Sequence, residues 1–493
     1  MTSAQHDSEA TALLARLATP PRRITADSRR VTPGSAFAAY PGAARDGRTF
    51  IPDAIRHGAG AVFWESRGFQ WNPRWSVPNV GVDDLRARLG GVADLVFGQP
   101  SRALWMIGVT GTNGKTSSAY WIAHAFNALG RRTGLIGTLG SGIAPTLSPS
   151  LNTTPEVCAL HEMLAEFRAA GAHAVAMEAS SHGIDQGRIN GVKFDIALFT
   201  NLTRDHLDYH GTMAAYGAAK ARLFTWPGLR VSVINADDPF GLSLVEAARG
   251  RGQTLMTYGL ANADVATTSL AMSAEGIAMA VITPWGRGDV TVPMVGTFNA
   301  LNLLGVLGVL LASDVALDDA LEALATLRPP AGRMQRFGGG DKPLVVVDYA
   351  HTPDALEQVL VALRPAVARD GSLVCVFGCG GDRDPGKRPQ MGRIAATLAD
   401  RLVVTSDNPR SEDPAEIASA VVHGIRETNN RRWVVELDRA TAIEDAVRSA
   451  RPGDVILLAG KGHESYQETL GVRAPFSDAE HAARALDAWR ALQ

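Results

Sequence analysis

The 493-residue chain has only three cysteines, Cys158, Cys375 and Cys379. That is too few for a disulfide scaffold and fits a reducing compartment. Cys375 and Cys379 lie in one strand-to-loop region without a second pair, so a zinc site is not expected. Neither sign of charge dominates: 48 Lys and Arg against 50 Asp and Glu leave a formal net charge of −2. This removes the electrostatic case for nucleic acid or an anionic membrane as a partner. The longest apolar stretch, residues 301–312, includes Asn302 and is too short to span a bilayer. The first ten residues carry Asp7 and Glu9 and no apolar core, so a signal peptide is not expected. There is no internal repeat of solenoid length and no low-complexity tract.

What remains is the composition of a globular enzyme, 46% hydrophobic and 20% charged. Its length suggests roughly three domains, and a cytoplasmic location is expected. Residues 1–98 read as short strands and turns, with a turn and strand over 31–40, a short helix over 51–58 and a strand at 61–64. Residues 99–328 alternate strands (174–177, 196–200 and 231–235) with helices, which implies a mainly parallel sheet covered on both faces. Leu327-Arg-Pro-Pro-Ala-Gly reads as a linker, because paired prolines end a helix and stiffen the connection. Residues 329–493 repeat the alternation, with strands at 344–348, 372–377, 401–405 and 454–459, as in a Rossmann-like α/β domain.

Gly108-Val-Thr-Gly-Thr-Asn-Gly-Lys-Thr116 follows an apolar strand and precedes helix formers from Ser117 to Ala128. A glycine-rich turn there aims backbone N–H groups and a helix N-terminus at an anion. Gly111, Thr112, Asn113, Gly114 and Ser117 are its cradle. Lys115 offers a charge for the β- and γ-phosphates, and the Thr116 hydroxyl offers an oxygen for Mg²⁺. The general P-loop pattern requires a glycine where Val109 stands, so this is the shorter TGTNGKT variant, and ATP is the expected ligand. Glu178 ends the strand at 174–177, and His206 lies in Thr200-Asn-Leu-Thr-Arg-Asp-His, again past a strand. Three strand ends are thus expected to deliver Thr116, Glu178 and His206 to one rim. His206 taken alone reads as a loop histidine, since Mg²⁺ favours oxygen. Lys220 lies in the helical segment Tyr216-Gly-Ala-Ala-Lys. Residue type leaves two readings open: a solvated lysine, or a buried one that takes up CO₂ as a carbamate.

These motifs, with Met177-Glu-Ala-Ser-Ser-His-Gly, Asn235-Ala-Asp-Asp, Gly296-Thr-Phe-Asn, Gly332-Arg333 and Asp348-Tyr-Ala-His-Thr-Pro, resemble in order and spacing those of the Mur ligases. Members of that family are ATP-dependent amide-forming ligases of peptidoglycan precursor synthesis. The resemblance runs from Asp27-Ser-Arg to Gly460-Lys-Gly-His-Glu464. It implies three domains: a UDP-sugar-binding domain (1–98), a P-loop-type ATPase (99–328) and a C-terminal domain for the incoming amino acid (329–493). It further implies that Lys220 is carbamylated, and that Thr116, Glu178, His206 and modified Lys220 serve Mg²⁺. Asn299, Arg333 and the Asp348 loop are implied to lie near the nucleotide.

Asp407-Asn408-Pro409-Arg410 resembles the signature of third-position ligases that add meso-2,6-diaminopimelate. The chemistry agrees, because diaminopimelate carries one carboxylate more than lysine and a guanidinium pairs it with two parallel hydrogen bonds. Asp407 or Asn408 would receive the distal ammonium. As a residue type, Arg410 also suits a surface position capping a loop. Arg383, Gly460 and Glu464 are implied to complete that pocket. Ser28 and the Pro41–Gly47 segment match UDP-binding positions, although Ala43 and Ala44 replace the usual polar pair and leave only backbone contacts. Asn152, Thr153, Thr154, Ser180, Gln186 and Arg188 resemble residues that hold the muramoyl peptide. The implied substrates are ATP, UDP-N-acetylmuramoyl-L-alanyl-D-glutamate and diaminopimelate, bound by a monomer. The γ-carboxylate would be activated as an acyl phosphate, with His351 or Asp348 as candidate bases and 327–332 as a hinge. A lysine-adding paralogue, a folylpolyglutamate synthase-like ligase and a nucleotide-gated scaffold are the alternatives.

Overall fold

The computed structural model describes residues 3–42, 45–144, 146–150, 152–272 and 276–490. The backbone contacts expected at Ala43 and Ala44 lie outside these residues. Among the described residues the chain forms three main sheets and a small two-stranded one. The first runs Ile24–Thr25, Ala36–Ala39, Ala61–Glu65, Asn79–Val82, all parallel. Side chains on a strand alternate faces, and here both faces are covered. Ala36 and Ala38 join Leu85 and Leu89 of the helix Leu85–Val96, whereas Phe37 and Ala39 join Ile51 and Ala54 of Ile51–Arg56. A helix at Ser3–Leu14, absent from the sequence reading, places Ala10 and Leu13 in the first of these cores.

The central sheet has eleven strands. Its seven middle strands are parallel, running from Val265–Met272 to Thr133–Gly137. Antiparallel strands finish both edges: Ile277–Thr283 and Gly286–Val292 on one, Gly140–Ile143 and Thr146–Ser148 on the other. The apolar stretch at 301–312 becomes the interior of the helix Thr297–Leu311, buried on nearly every side between the sheet and the helices Lys115–Ala128 and Leu317–Ala325. No helix among the described residues is long and apolar enough to cross a membrane. Strands Ile196–Phe199, Trp105–Thr110 and Ala174–Glu178 are direct neighbours, with Phe199 opposite Thr110 and Val109 opposite Glu178. Their C-terminal ends therefore open onto the same rim.

The third sheet runs Gln335–Gly338, Leu344–Asp348, Val455–Ala459, Leu373–Phe377, Arg401–Val404, Trp433–Val435, parallel except for the first strand. Its inner strands Leu344–Asp348, Val455–Ala459 and Leu373–Phe377 are apolar but for the terminal Asp348 because both faces are buried: Leu344 and Val346 enter one core, Val345 and Val347 the other. Beneath the second core, Arg439 and Asp478 pair at 2.7 Å with both side chains fully buried, and Arg439 also donates to Ala459 O at 2.9 Å. Removing one partner of such a pair strands the other charge in the interior. Arg439→Met is expected to lower stability by about 3–5 kcal/mol, read as a drop in the denaturant midpoint. An unchanged midpoint would mean that water reaches Asp478.

Candidate active site

The phosphate loop joins the strand Trp105–Thr110 to the helix Lys115–Ala128. Two of its glycines are required by geometry. Gly111 has φ 152° and Gly114 φ 81°, and a Cβ on either would run into the Thr200 hydroxyl or the Asn302 amide respectively. The loop is held by its neighbours: Thr112 N donates to Asn201 O at 2.8 Å and Asn113 N to Asn201 Oδ1 at 2.9 Å. Lys115 folds back over it, donating to Gly111 O (2.9 Å) and Thr112 O (2.7 Å). Burial pulls its pKa down from the usual lysine range, while Glu178 and Asp205 oppose that shift.

Glu178 gathers the oxygens of the site. It accepts from Thr116 Oγ1 at 2.9 Å and from Thr138 N at 2.7 Å, while Arg333 Nη2 reaches Thr116 Oγ1 at 3.1 Å. A hydroxyl beside a carboxylate at the phosphate end of the loop is an oxygen donor set that suits Mg²⁺. His206, in a left-handed backbone conformation (φ 53°), lines the same cavity. It sits 3.3 Å from Asp205, with its ring 4.7 Å from that of His182. Burial holds its pKa far below the usual histidine value, so the imidazole is neutral and one of its two ring nitrogens keeps a lone pair for a cation.

The structure resolves the two readings of Lys220 in favour of burial. The residue is 1% exposed on the helix Met213–Ala221. Its Nζ donates to Gly111 O at 2.7 Å and lies 4.3 Å from the centre of the Tyr216 ring. Burial and the nearby Lys115 push its pKa well below the usual lysine value, which favours a neutral, nucleophilic amine.

These groups line a cavity of about 420 Å³ walled by the central and third sheets together. Asn299 lines it and donates to Val295 O at 2.8 Å. Across the cavity, Asn113 Nδ2 donates to Asp354 Oδ2 at 2.9 Å, and Arg204 reaches Asp384 at 3.2 Å. Asp348 Oδ2 accepts Met334 N at 2.8 Å, and burial raises its pKa. His351 donates from Nδ1 to Tyr349 O at 2.8 Å, and burial with the adjacent Lys387 lowers its pKa to about 4.

Two further clusters flank the cavity. In one, Thr154 Oγ1 donates to Glu178 O (2.8 Å) and meets Ser180 Oγ (3.0 Å), while Arg188 bonds Thr154 O (3.0 Å) and Gln186 Oε1 (2.6 Å). Thr153 Oγ1 meets Thr138 Oγ1 at 3.0 Å, and Asn152 O accepts from Ser150. Ser28 stands apart on the first sheet's side, its carbonyl bonded by His57 Nδ1 at 2.9 Å. The other cluster collects Asp407–Arg410 with the 460–464 loop. Asn408 bonds Glu464 (2.8 Å) and Lys461 (3.1 Å), and Lys461 bonds Glu464 (3.0 Å). Pro409 O backs onto Gly381, and Gly460 (φ 112°) leaves room for the Asp407 carboxylate. Arg410 donates to Gly381 O at 2.6 Å, and Arg383 lies in the facing loop, bonded to Asp382 O at 3.0 Å. Tyr349 links the cavity to the second of these clusters, with its ring 4.5 Å from the Arg333 guanidinium and 5.4 Å from the ring of His463.

Sequence reasoning missed Thr138, Asp354, Asn302 and Lys461. Thr138 had a signal, since Gly137-Thr138 closes an apolar strand at the same rim and a Cβ on Gly137 would strike Glu178. Asp354 had none, because its partner Asn113 lies 241 residues away.

A family model described as Mur ligase middle domain matches residues 109–310. One described as Mur ligase, glutamate ligase domain matches 332–462, and one described as Mur ligase family, catalytic domain matches 22–96. The chain is 53% identical over 479 residues to a UDP-N-acetylmuramoyl-L-alanyl-D-glutamate--2,6-diaminopimelate ligase of Chromobacterium violaceum, covering 97% of each chain. It superposes on a solved structure with the same designation at a TM-score of 0.68, with 38% identity over 95% of both chains. A folylpolyglutamate synthase of Mycobacterium tuberculosis shares the fold over 75% of this chain and 91% of its own, at 21% identity and a TM-score of 0.62.

Proposed function

The chain belongs to the Mur ligase family, and from that premise we propose that it joins meso-2,6-diaminopimelate to the D-glutamate γ-carboxylate of UDP-N-acetylmuramoyl-L-alanyl-D-glutamate with cleavage of ATP in the cytoplasm. The observation that carries the amino-acid choice is Asp407–Arg410 beside Glu464, in a chain over half identical to a diaminopimelate ligase along almost its whole length.

A carboxylate does not react with an amine, because oxide is not a leaving group at neutral pH. Transfer of the ATP γ-phosphoryl group to the γ-carboxylate gives an acyl phosphate. Attack by the diaminopimelate amine then forms a tetrahedral intermediate, which expels phosphate. The first step needs mainly positioning and neutralisation of charge. The backbone N–H groups of Gly114–Ser117, the Lys115 ammonium and Arg333 serve it. Thr116, Glu178 and His206 would hold Mg²⁺, whose charge offsets that of the β- and γ-phosphates. Lys220, a buried amine, can add to CO₂ through Nζ with loss of a proton and become an anionic fourth ligand. Thr153, Thr154, Ser180, Gln186 and Arg188 orient the muramoyl peptide, and Ser28 belongs to the uridine end. Of the two candidate bases, Asp348 is committed to Met334 N and the Arg333 side, whereas His351 is neutral and keeps Nε2 as its acceptor. His351 is the better supported of the two.

Acyl phosphates hydrolyse, so the site must shut before chemistry. The 327–332 segment is the hinge, and Asn113–Asp354, Arg204–Asp384 and Arg333–Thr116 are the contacts that closure makes. The test is phosphate release from ATP with the UDP-muramoyl dipeptide, comparing meso-diaminopimelate with L-lysine. The native enzyme should prefer diaminopimelate, and Arg410→Ala should cut kcat/KM for it by about a hundredfold, the scale of a lost charge-assisted bidentate contact. Equal use of lysine would keep the ligase and overturn the choice of amino acid.

A further inference from the structure

Arg410 has φ 53°, a left-handed backbone that an arginine adopts only when its surroundings enforce it. The enforcing element is a hairpin to which sequence analysis gave no role. Its strands, Tyr466–Thr469 and Val472–Pro475, form the two-stranded sheet and pair with none of the three main sheets. The hairpin grips Asp407–Arg410 with four hydrogen bonds. Gln467 Nε2 donates to Asp407 O (2.8 Å) and Glu468 N donates to Asn408 Oδ1 (2.9 Å). Arg410 N donates to Glu468 O (3.0 Å), and Leu470 N donates to Arg410 O (2.6 Å).

The last two bonds clamp both sides of the Arg410 peptide, so that Arg410 pairs with Thr469 as an isolated bridge. The turn has two loop residues, Leu470 and Gly471, both at positive φ as such a hairpin requires, and it presents the Leu470 N–H to Arg410. Leu470 is held at φ 50°, in a region that favours glycine, and its side chain is 76% exposed. What this exposed residue contributes to the loop is therefore its N–H and not side-chain packing. Arg473 braces the far strand, reaching Glu468 at 3.0 Å and lying 4.4 Å from the Tyr466 ring centre.

We propose that the Tyr466–Pro475 hairpin is a specificity-determining splint, and that Gln467 and the Leu470 N–H are positioning groups that aim the Arg410 guanidinium at the distal carboxylate of the incoming amino acid. The proposal rests on the reading of Asp407–Arg410 as the diaminopimelate loop. Neither group touches substrate; each acts through the backbone of the loop. Their loss should therefore loosen recognition of the second amino-acid head and leave the phosphate site alone.

The experiment measures KM and kcat for all three substrates in the full-length enzyme and in three variants. Gln467→Leu should raise KM for meso-diaminopimelate about tenfold, the scale of one oriented hydrogen bond, with kcat and the KM values for ATP and the UDP-muramoyl dipeptide within about twofold. Leu470→Pro, which removes the N–H and cannot adopt a positive φ, should raise it further and narrow the preference over L-lysine. Leu470→Gly, which keeps the N–H and relaxes the backbone, should behave as the native enzyme. An unchanged KM for diaminopimelate in both Gln467→Leu and Leu470→Pro overturns the proposal, as does a fall in kcat with every KM constant. A native enzyme that does not turn over diaminopimelate refutes the functional reading itself, a separate result. Thermal unfolding of each variant identifies misfolding, and a folded Gln467→Leu suffices for the decision.

Discussion

Glu178→Gln should reduce kcat by about a thousandfold, because a single change removes two things. The carboxylate now accepts from Thr116 Oγ1 through Oε2 and from Thr138 N through Oε1. A glutamine offers one acceptor oxygen and turns an NH₂ toward at least one of those donors, so a buried N–H or O–H is left without a partner. It also withdraws the negative charge from the only acidic side chain that bonds Thr116 among the described residues. Metal-assisted neutralisation of a transferring phosphoryl group is worth several kcal/mol, and each 1.36 kcal/mol is a factor of about ten. The discriminating measurement is the Mg²⁺ dependence of phosphate release. A higher Mg²⁺ requirement with partial recovery at saturation places Glu178 on the metal. A loss of kcat that Mg²⁺ does not touch makes it only a brace for the rim.

Lys220→Met should abolish turnover by about a hundredfold or more, while leaving the fold at least as stable. The side chain is buried, and its partners are a carbonyl and an aromatic face. No carboxylate bonds it, and burial disfavours the ammonium form, so a methionine of similar length relieves a desolvated group. The informative companion is the native enzyme in buffer stripped of CO₂. If Nζ acts as a carbamate, activity should fall on stripping and return with bicarbonate. If Lys220 only pins Gly111 O, bicarbonate has no effect and the carbamate is refuted.

The phosphate-loop region was legible because local rules converge there. An apolar strand, glycines that tolerate positive φ and a run of helix formers all point to one structure. The three parallel strands ending at Thr110, Glu178 and Phe199 were visible as apolar runs, and their adjacency follows from the general topology of such sheets. The same reasoning overlooked the antiparallel edges. Gly286–Val292 carries glycines and charge, so its alternation is faint until its partner Ile277–Thr283 is in place. It overlooked Ser3–Leu14 because that helix has little periodicity and is stabilised by packing on Leu85–Val96. It also had no means to find Asp354 or the Tyr466–Pro475 hairpin, whose importance lies in distant partners rather than in their own residue types.

One wall of the cavity comes from the central sheet and its helix Lys115–Ala128, which carry Glu178 and Thr116, and the other from the third sheet and its helix Pro353–Leu363, which carry Asp348 and Asp354. Each wall has a core of its own. On the proposed closure about 327–332, whatever fills the space between them acts as a bridge, and its affinity includes the work of bringing the two bodies together. Occupancy of one side alters the affinity of the other by the same factor in both directions, since coupling between sites is reciprocal. A compound that spans both walls is best assayed with the other substrates present, where the bodies are already drawn together and the compound no longer has to do that work itself.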